Sequence, residues 1–410
     1  MMAGSMIFRW NEGYYQSLYK SIIIMKRYLI YLIGLLAGCT AGPVEEMPET
    51  ARLVAVSFGK PDLGVPELLT RAEETVFPSP TLLPVGTTVR VGAWLTGKVG
   101  GESQEASFST EAPTFEATYV VKADGSLSPC LVDSEGKRVE GEGKGLIVRG
   151  GVYDFYAVSP ARPLQKGEDG YYKITGIPHK EDVMTGFVRG VAVTKDSQQV
   201  TLGTFRRKCA MLVFNVAPSP DNASSFRKLY GTGLVIKRIS SSGADLIAGS
   251  DTGILPTGGG SGTDAQVVFI EGEFEPVEPE SDPDNSGLNK TKGIILPKDS
   301  QPFEVEIDVV RNDETATLKA TIDKNITFDE GKRYIFTLEV KNNESSLLMK
   351  VLDWNAVVFT DDNVGSPDTP YPDPDINEGI GTTVTVVTWK EIMWTGNGNV
   401  GGGEIVDEYI

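Results

Sequence analysis

Apolar residues in this chain come in short runs that alternate with polar ones, and no long segment carries a convincing helical period. Gly86-Thr87-Thr88-Val89-Arg90-Val91-Gly92-Ala93-Trp94-Leu95 sets Val89, Val91 and Ala93 on one face of a strand. Phe115 to Val121 follows, then Ala123-Asp124-Gly125-Ser126, whose Asp-Gly pair signals a hairpin. Leu146 to Val158 holds two strands' worth of apolar residues around Gly150-Gly151, and Val183 to Val193 closes this first set. A second set reads the same way: Phe205 to Val216, Leu234 to Ile239, Phe303 to Val310, Arg333 to Val340 and Leu347 to Trp354. Within it Tyr334, Phe336, Leu338 and Val340 share the inward face. A helix start at Ser224 or Ser225 is soon stopped by Gly231 and Gly233. Many short strands at this spacing specify an all-β chain folded as two tandem sandwiches. At 410 residues, 40% apolar, the chain is long enough to give each its own core.

Composition excludes more than it assigns. A formal charge of -18 argues against a nucleic-acid surface, because phosphate binding needs clustered Lys and Arg. The basic cluster Arg206-Arg207-Lys208 reads as a charged strand end. With a single histidine, His179, and no CxxC pair, zinc sites and His-dependent catalytic sets cannot be assembled, so no enzyme, catalytic residue, metal or cofactor is expected. Cys130 and Cys209 are either one disulfide or two buried thiols. Thr257 to Thr263 is glycine-rich but lacks the Gly-Lys-Ser/Thr that holds phosphates. The acidic, proline-broken stretch Glu271 to Asp284 reads as a solvated loop. Asp373, Asp375 and Asn377 have the first spacing of a calcium loop, yet its twelfth position is Val384 rather than glutamate.

The N-terminus is an address. Lys26-Arg27, the apolar run Tyr28 to Leu36 and Ala37-Gly38-Cys39 form a secretory signal whose apolar run falls short of the roughly 20 residues that span a membrane. Leu36-Ala37-Gly38-Cys39 resembles the bacterial lipobox, in which the cysteine is lipidated. Acyl chains contribute about 0.8 kcal/mol per buried methylene, so a multiply acylated Cys39 anchors firmly. The signal is expected to begin at Met25, with residues 1–24 upstream of the true start.

Two strands at the ends of the exported part stand apart. Leu53-Val54-Ala55-Val56-Ser57-Phe58 places Val54, Val56 and Phe58 on one face; loop residues then lead to Leu68-Leu69-Thr70-Arg71-Ala72-Glu73-Glu74, an arginine open to protease. Losing this leader would leave an apolar groove with unpaired backbone groups. At the other end, a proline-rich linker around Pro367 to Pro374 precedes Thr382-Thr383-Val384-Thr385-Val386-Val387-Thr388-Trp389, an almost pure β-former. Such a strand either pairs at the edge of its own second domain or is donated to another subunit's groove.

In their order along the chain these parts resemble the fimbrillins, the major shaft subunits of type V pili in Bacteroides-like bacteria. The likeness rests on the lipobox, Val54 to Phe58 with Thr70-Arg71-Ala72, Gly86 to Val91 and Gly151-Val152-Tyr153-Asp154-Phe155-Tyr156-Ala157. Arg206 to Ala210, Gly331-Lys332-Arg333-Tyr334-Ile335-Phe336 and Asp353-Trp354-Asn355 complete it. The resemblance implies two transthyretin-like domains with a C-terminal donor-strand appendage, in an outer-membrane lipoprotein precursor that becomes part of a surface fimbrium. It implies lipidation at Cys39, processing between Arg71 and Ala72 by an arginine-specific protease, and donation of Val384, Val386, Val387 and Trp389 to a neighbouring pilin. Arg52 is a second candidate cut, but one that leaves Val54 to Phe58 in place. Anchor and tip fimbrial subunits and the outer membrane, through the lipid, complete the implied partners. The expected divisions are residues 1–39 (upstream residues and signal), 40–71 (tether and removable strand), 72–201 and 202–364 (the two sandwiches) and 365–410 (linker and appendage). Two alternatives stand beside the shaft subunit: a tip or accessory subunit, and a monomeric surface lipoprotein binding glycans through Trp94, Trp389 or Trp394.

Overall fold

The computed structural model describes residues 52–64, 68–69, 81–219, 228–239, 243–250, 253–256, 266–276, 289–297, 302–322, 326–342, 344–353, 357–358, 384–390 and 392. The chain divides into two compact units, Met1–Pro48 and Glu49–Ile410, and every described residue lies in the second. Cys39, the Arg71–Ala72 bond, the helix start near Ser224, the calcium-like spacing and Trp394 lie outside the described residues.

The fold is all-β, built from several sheets with apolar cores between them. In the N-terminal half six strands lie in the order Arg206–Arg207, Met184–Val193, Gly151–Ser159, Thr88–Gly97, Phe115–Val121 and Leu127–Pro129, all antiparallel. Period-two alternation buries Val89, Val91 and Ala93 completely against Tyr153, Phe155 and Ala157. Asp124-Gly125 turns the expected hairpin, with Asp124 Oδ1 accepting from the Ser126 N–H at 2.9 Å. At Gly150-Gly151 the chain leaves a facing layer, where Ile147–Arg149 sits, and enters the six-stranded sheet as Gly151–Ser159. A Cβ on Gly151 would displace the exposed Leu95 side chain and crowd the Gly97 carbonyl oxygen at 3.2 Å.

The C-terminal half packs a six-stranded sheet on a four-stranded one. The first runs Glu275–Pro276, Asn289–Ile295, Ala210–Pro218, Lys332–Val340, Ser345–Asp353, Val384–Trp389; the second runs Gln266–Ile270, Leu229–Lys237, Phe303–Arg311, Glu314–Ile322. Ala210–Pro218 pairs in parallel with Lys332–Val340, which brings together segments far apart in sequence. Tyr334, Phe336, Leu338 and Val340 face the core as their alternation requires, against Leu234, Ile307 and Leu318 of the opposite sheet. A two-residue turn, Asn312 at φ 48° and Asp313 at φ 73°, joins the last two strands of the four-stranded sheet.

One sheet crosses the expected 201/202 division. Tyr172–Ile177 pairs antiparallel with Ala244–Ile247, within a four-stranded sheet completed by Gln165–Lys166 and Ile254–Pro256. Beneath it a third core gathers Trp94, Phe108, Tyr156, Ile174, Leu246 and Leu296. Ion pairs reinforce this junction: Arg207 to Asp182 at 3.0 Å and Lys208 to Glu330 at 2.9 Å, so the basic cluster is a paired strand end. Arg162 makes a two-pronged contact with Glu181 at 2.5 and 2.7 Å. Cys130 and Cys209 are buried free thiols; burial pushes Cys209 up to about 12, and its Sγ lies 3.4 Å from the Glu181 carbonyl.

Candidate functional site

The leader, Leu53–Ala55 and Ser57–Phe58, lies between two neighbours. On one side it pairs antiparallel with Ile147–Arg149, with Val54 opposite Val148; on the other, Ser57 and Phe58 pair in parallel with Gln199 and Val200. The backbone bonds divide by parity. The Val56 N–H donates to the Leu146 carbonyl at 2.9 Å, and the Arg52 carbonyl accepts from Gly150 at 3.1 Å. Ser57 and Gly59 instead donate to the Gln198 and Val200 carbonyls, at 3.0 and 2.9 Å. The leader is thus bonded on one edge along its first half and on the other edge along its second, bridging two neighbours.

Its side chains alternate as the sequence requires: Leu53, Ala55 and Ser57 are exposed, whereas Val54, Val56 and Phe58 are buried. Phe58 stands edge-on to Tyr119 and Phe155, with centroids 5.2 and 5.9 Å away. The Tyr119 hydroxyl accepts the Leu146 N–H at 2.7 Å and so braces the neighbouring strand; burial pushes that phenol up to about 12. Burying the three leader side chains contributes roughly 1.5–3 kcal/mol each.

Past Phe58 the leader stays attached. The Asp62 carbonyl accepts from the Phe205 N–H at 2.8 Å, and Asp62 Oδ1 accepts the Gly64 N–H, also at 2.8 Å. Gly64 turns at φ 83°, a region closed to most side chains. Leu63 and Leu83 donate to the Thr81 and Pro61 carbonyls, joining the leader to the chain that follows the expected cut. Between these contacts, Leu68–Leu69 pairs in parallel with Val357–Val358.

The closing strand, Val384–Trp389, is seated at the edge of its own six-stranded sheet, antiparallel to Ser345–Asp353. A bulge at Val386 breaks the alternation, so Val386 and Val387 are both buried. Trp389 is 1% exposed, and its Nε1–H donates to the Lys319 carbonyl of the opposite sheet at 2.9 Å. Trp94, at 2% exposed, donates to the Glu111 carbonyl. Neither tryptophan is available to stack on a sugar ring. Among the described residues no group of three or more His, Cys, Asp or Glu is placed to hold a metal. The sequence marked the leader and the closing strand; it did not mark the slot walls Leu146, Gln198 and Val200, or the partner of Leu68–Leu69. Gly150-Gly151 was the available signal for the wall, as the point where one layer ends and the next begins.

Residues 53–361 match the model of the fimbrillin-like family, and the chain belongs to that family. Among solved structures it is similar to a candidate cell-adhesion protein from Bacteroides fragilis, at 17% identity and a TM-score of 0.48 over 74% of this chain and 98% of that one. A candidate cell-adhesion protein from Bacteroides ovatus gives 15% and 0.45, over 74% and 98%. The tip fimbrial protein Mfa3 from Porphyromonas gingivalis gives 8% and 0.31 over the same shares. Among curated proteins none matches.

Proposed function

We propose that the chain is a structural pilus subunit, exported as a lipoprotein through Cys39, cut after Arg71 and polymerised by strand exchange into surface fimbriae. The observation that carries this reading is the leader's pairing with two different neighbours, one along each half, with Val54, Val56 and Phe58 in the core. Once it leaves, the domain presents an apolar slot flanked by the Leu146, Gln198 and Val200 carbonyls, which only another strand can fill along both sides. In this reading the halves are two transthyretin-like domains and the closing strand of a neighbour supplies Val384, Val386, Val387 and Trp389. Fellow pilins, an arginine-specific protease and the other subunits of a fimbrial assembly are then its partners. N-terminal sequencing after treatment with an arginine-specific protease tests it. A new terminus at Ala72, appearing together with ladder-forming oligomers, is the expected result; a terminus that never moves past Cys39, with monomer alone, overturns it.

A second reading, a tip or accessory subunit, draws on the closing strand's seat in its own sheet, with Trp389 buried. A subunit that keeps this strand at home can receive a strand but not give one. Cut protein that caps growing fibres without extending them would identify it.

A further inference from the structure

We infer that the leader also ties down the root of the C-terminal arm, so that one cut opens the slot and lengthens the arm together; the cut and the arm rest on the pilus reading above. Three observations carry it. First, the leader is bonded into the N-terminal layers from Arg52 through Asp62, and the chain folds back onto the leader at Thr81 to Leu83, bonding Pro61, Leu63 and Gly64. Second, within the span thus fixed at both ends, Leu68–Leu69 pairs with Val357–Val358. Third, Val357–Val358 has no other strand neighbour among the described residues.

A parallel pairing of two residues is too short to stand alone. It persists because both of its sides are brought close by larger structures, which keeps the cost of closure small. Cleavage after Arg71 removes one of those supports, and departure of the leader removes Leu68–Leu69 altogether. The arm is then rooted at Asp353, the end of the Ser345–Asp353 strand, instead of at Val358. The released residues add up to roughly 17 Å of reach, at about 3.3–3.6 Å per extended residue. A subunit still carrying its leader therefore holds its arm short as well as its slot closed, which keeps precursors from engaging one another before processing.

Hydrogen exchange on the full-length precursor tests this. After cleavage whichever of the Val357 and Val358 amides donates to the Leu68–Leu69 strand (neighbouring N–H groups point to opposite edges) is expected to exchange about tenfold faster, the worth of one net backbone hydrogen bond, while Ser345–Val351 stays protected. The uncut double variant Leu68→Pro/Leu69→Pro, which removes whichever of the two N–H groups donates to that pairing, should show the same acceleration with Val56 and Ser57 still protected. Unchanged exchange at Val357–Val358 in either sample overturns the inference. Neither readout needs polymer: cut protein that stays monomeric would count against strand donation, while the exchange data would still decide whether the leader holds the arm.

Discussion

The first and last strands of the described fold are both apolar and both buried, yet they are held in different ways. The leader is regular: strict alternation, one segment paired on each edge, and its large side chain, Phe58, between two aromatic rings. The closing strand is irregular: one bonded edge, a bulge at Val386, and a tryptophan that reaches across the core to Lys319. The leader cannot leave without breaking its pairings with two different neighbours, whereas the closing strand leaves by breaking one ladder and withdrawing its anchor. In the proposed reading, this asymmetry sets a leader removed by a protease beside a closing strand that moves without one.

The sharpest way to break that comparison is Val386→Asp. Its carboxylate would enter the subunit's own core, at a cost of more than about 4 kcal/mol if the strand stayed seated. The expected outcome is release of Val384–Trp389 with the N-terminal half unchanged, seen as selective loss of amide protection; a strand that stays protected would refute the home seat. Next come Phe58→Ala and Trp389→Ala, each expected to cost about 3–5 kcal/mol in denaturant unfolding. Exchange should place the first loss around Val54 to Phe58 and the second around Ser345 to Val351. Losses that spread equally over both halves would mean that the two strands report on one cooperative unit.

Tyrosine ionisation sharpens the same contrast. Burial pushes both Tyr119, in the slot, and Tyr334, in the C-terminal core, up to about 12. Because the folded value lies above the ordinary one, each phenol's contribution to stability is complete below pH 10 and is lost as pH rises through 12. Removing the leader exposes Tyr119 but leaves Tyr334 covered. Absorbance titration of cut protein should therefore show one phenol moving back toward 10, and an unchanged titration would mean that the slot had closed over. The smallest expected effect is that of Asp313→Gly, which relieves a left-handed residue in a two-residue turn: stability should rise by up to about 1 kcal/mol, measured by thermal unfolding.

The sequence made most of this legible wherever one face of a strand is apolar and the other polar. Val54 to Phe58, Val89 to Ala93 and Tyr334 to Val340 could be oriented residue by residue. It was least legible where burial is sparse. Tyr172–Ile177 buries only Ile174 and Ile177 fully, and its partner lies far down the chain, so nothing local announces the sheet at the junction. Glu314–Ile322 hides its inward face behind small residues, Ala316 and Ala320, although Asn312-Asp313 is a recognisable hairpin signal. Trp94 and Trp389 look like binding residues in sequence because tryptophan is costly to leave exposed; their carbonyl partners, Glu111 and Lys319, show them to be structural. The candidate site was half visible. Its strands carry local patterns, while the slot walls and the Leu68–Leu69 pairing exist only through contacts that sequence spacing does not encode.

The double edge of the slot also sets how it bears load. Tension along a strand seated there is resisted in shear by the Leu146 side and the Val200 side at once, so bonds on both flanks must give together. Tension that lifts the closing strand off Ser345–Asp353 peels one ladder a bond at a time, with Trp389 as the last catch. A strand that replaces the leader would be held on both flanks of the slot, whereas the closing strand in its home seat is held on one.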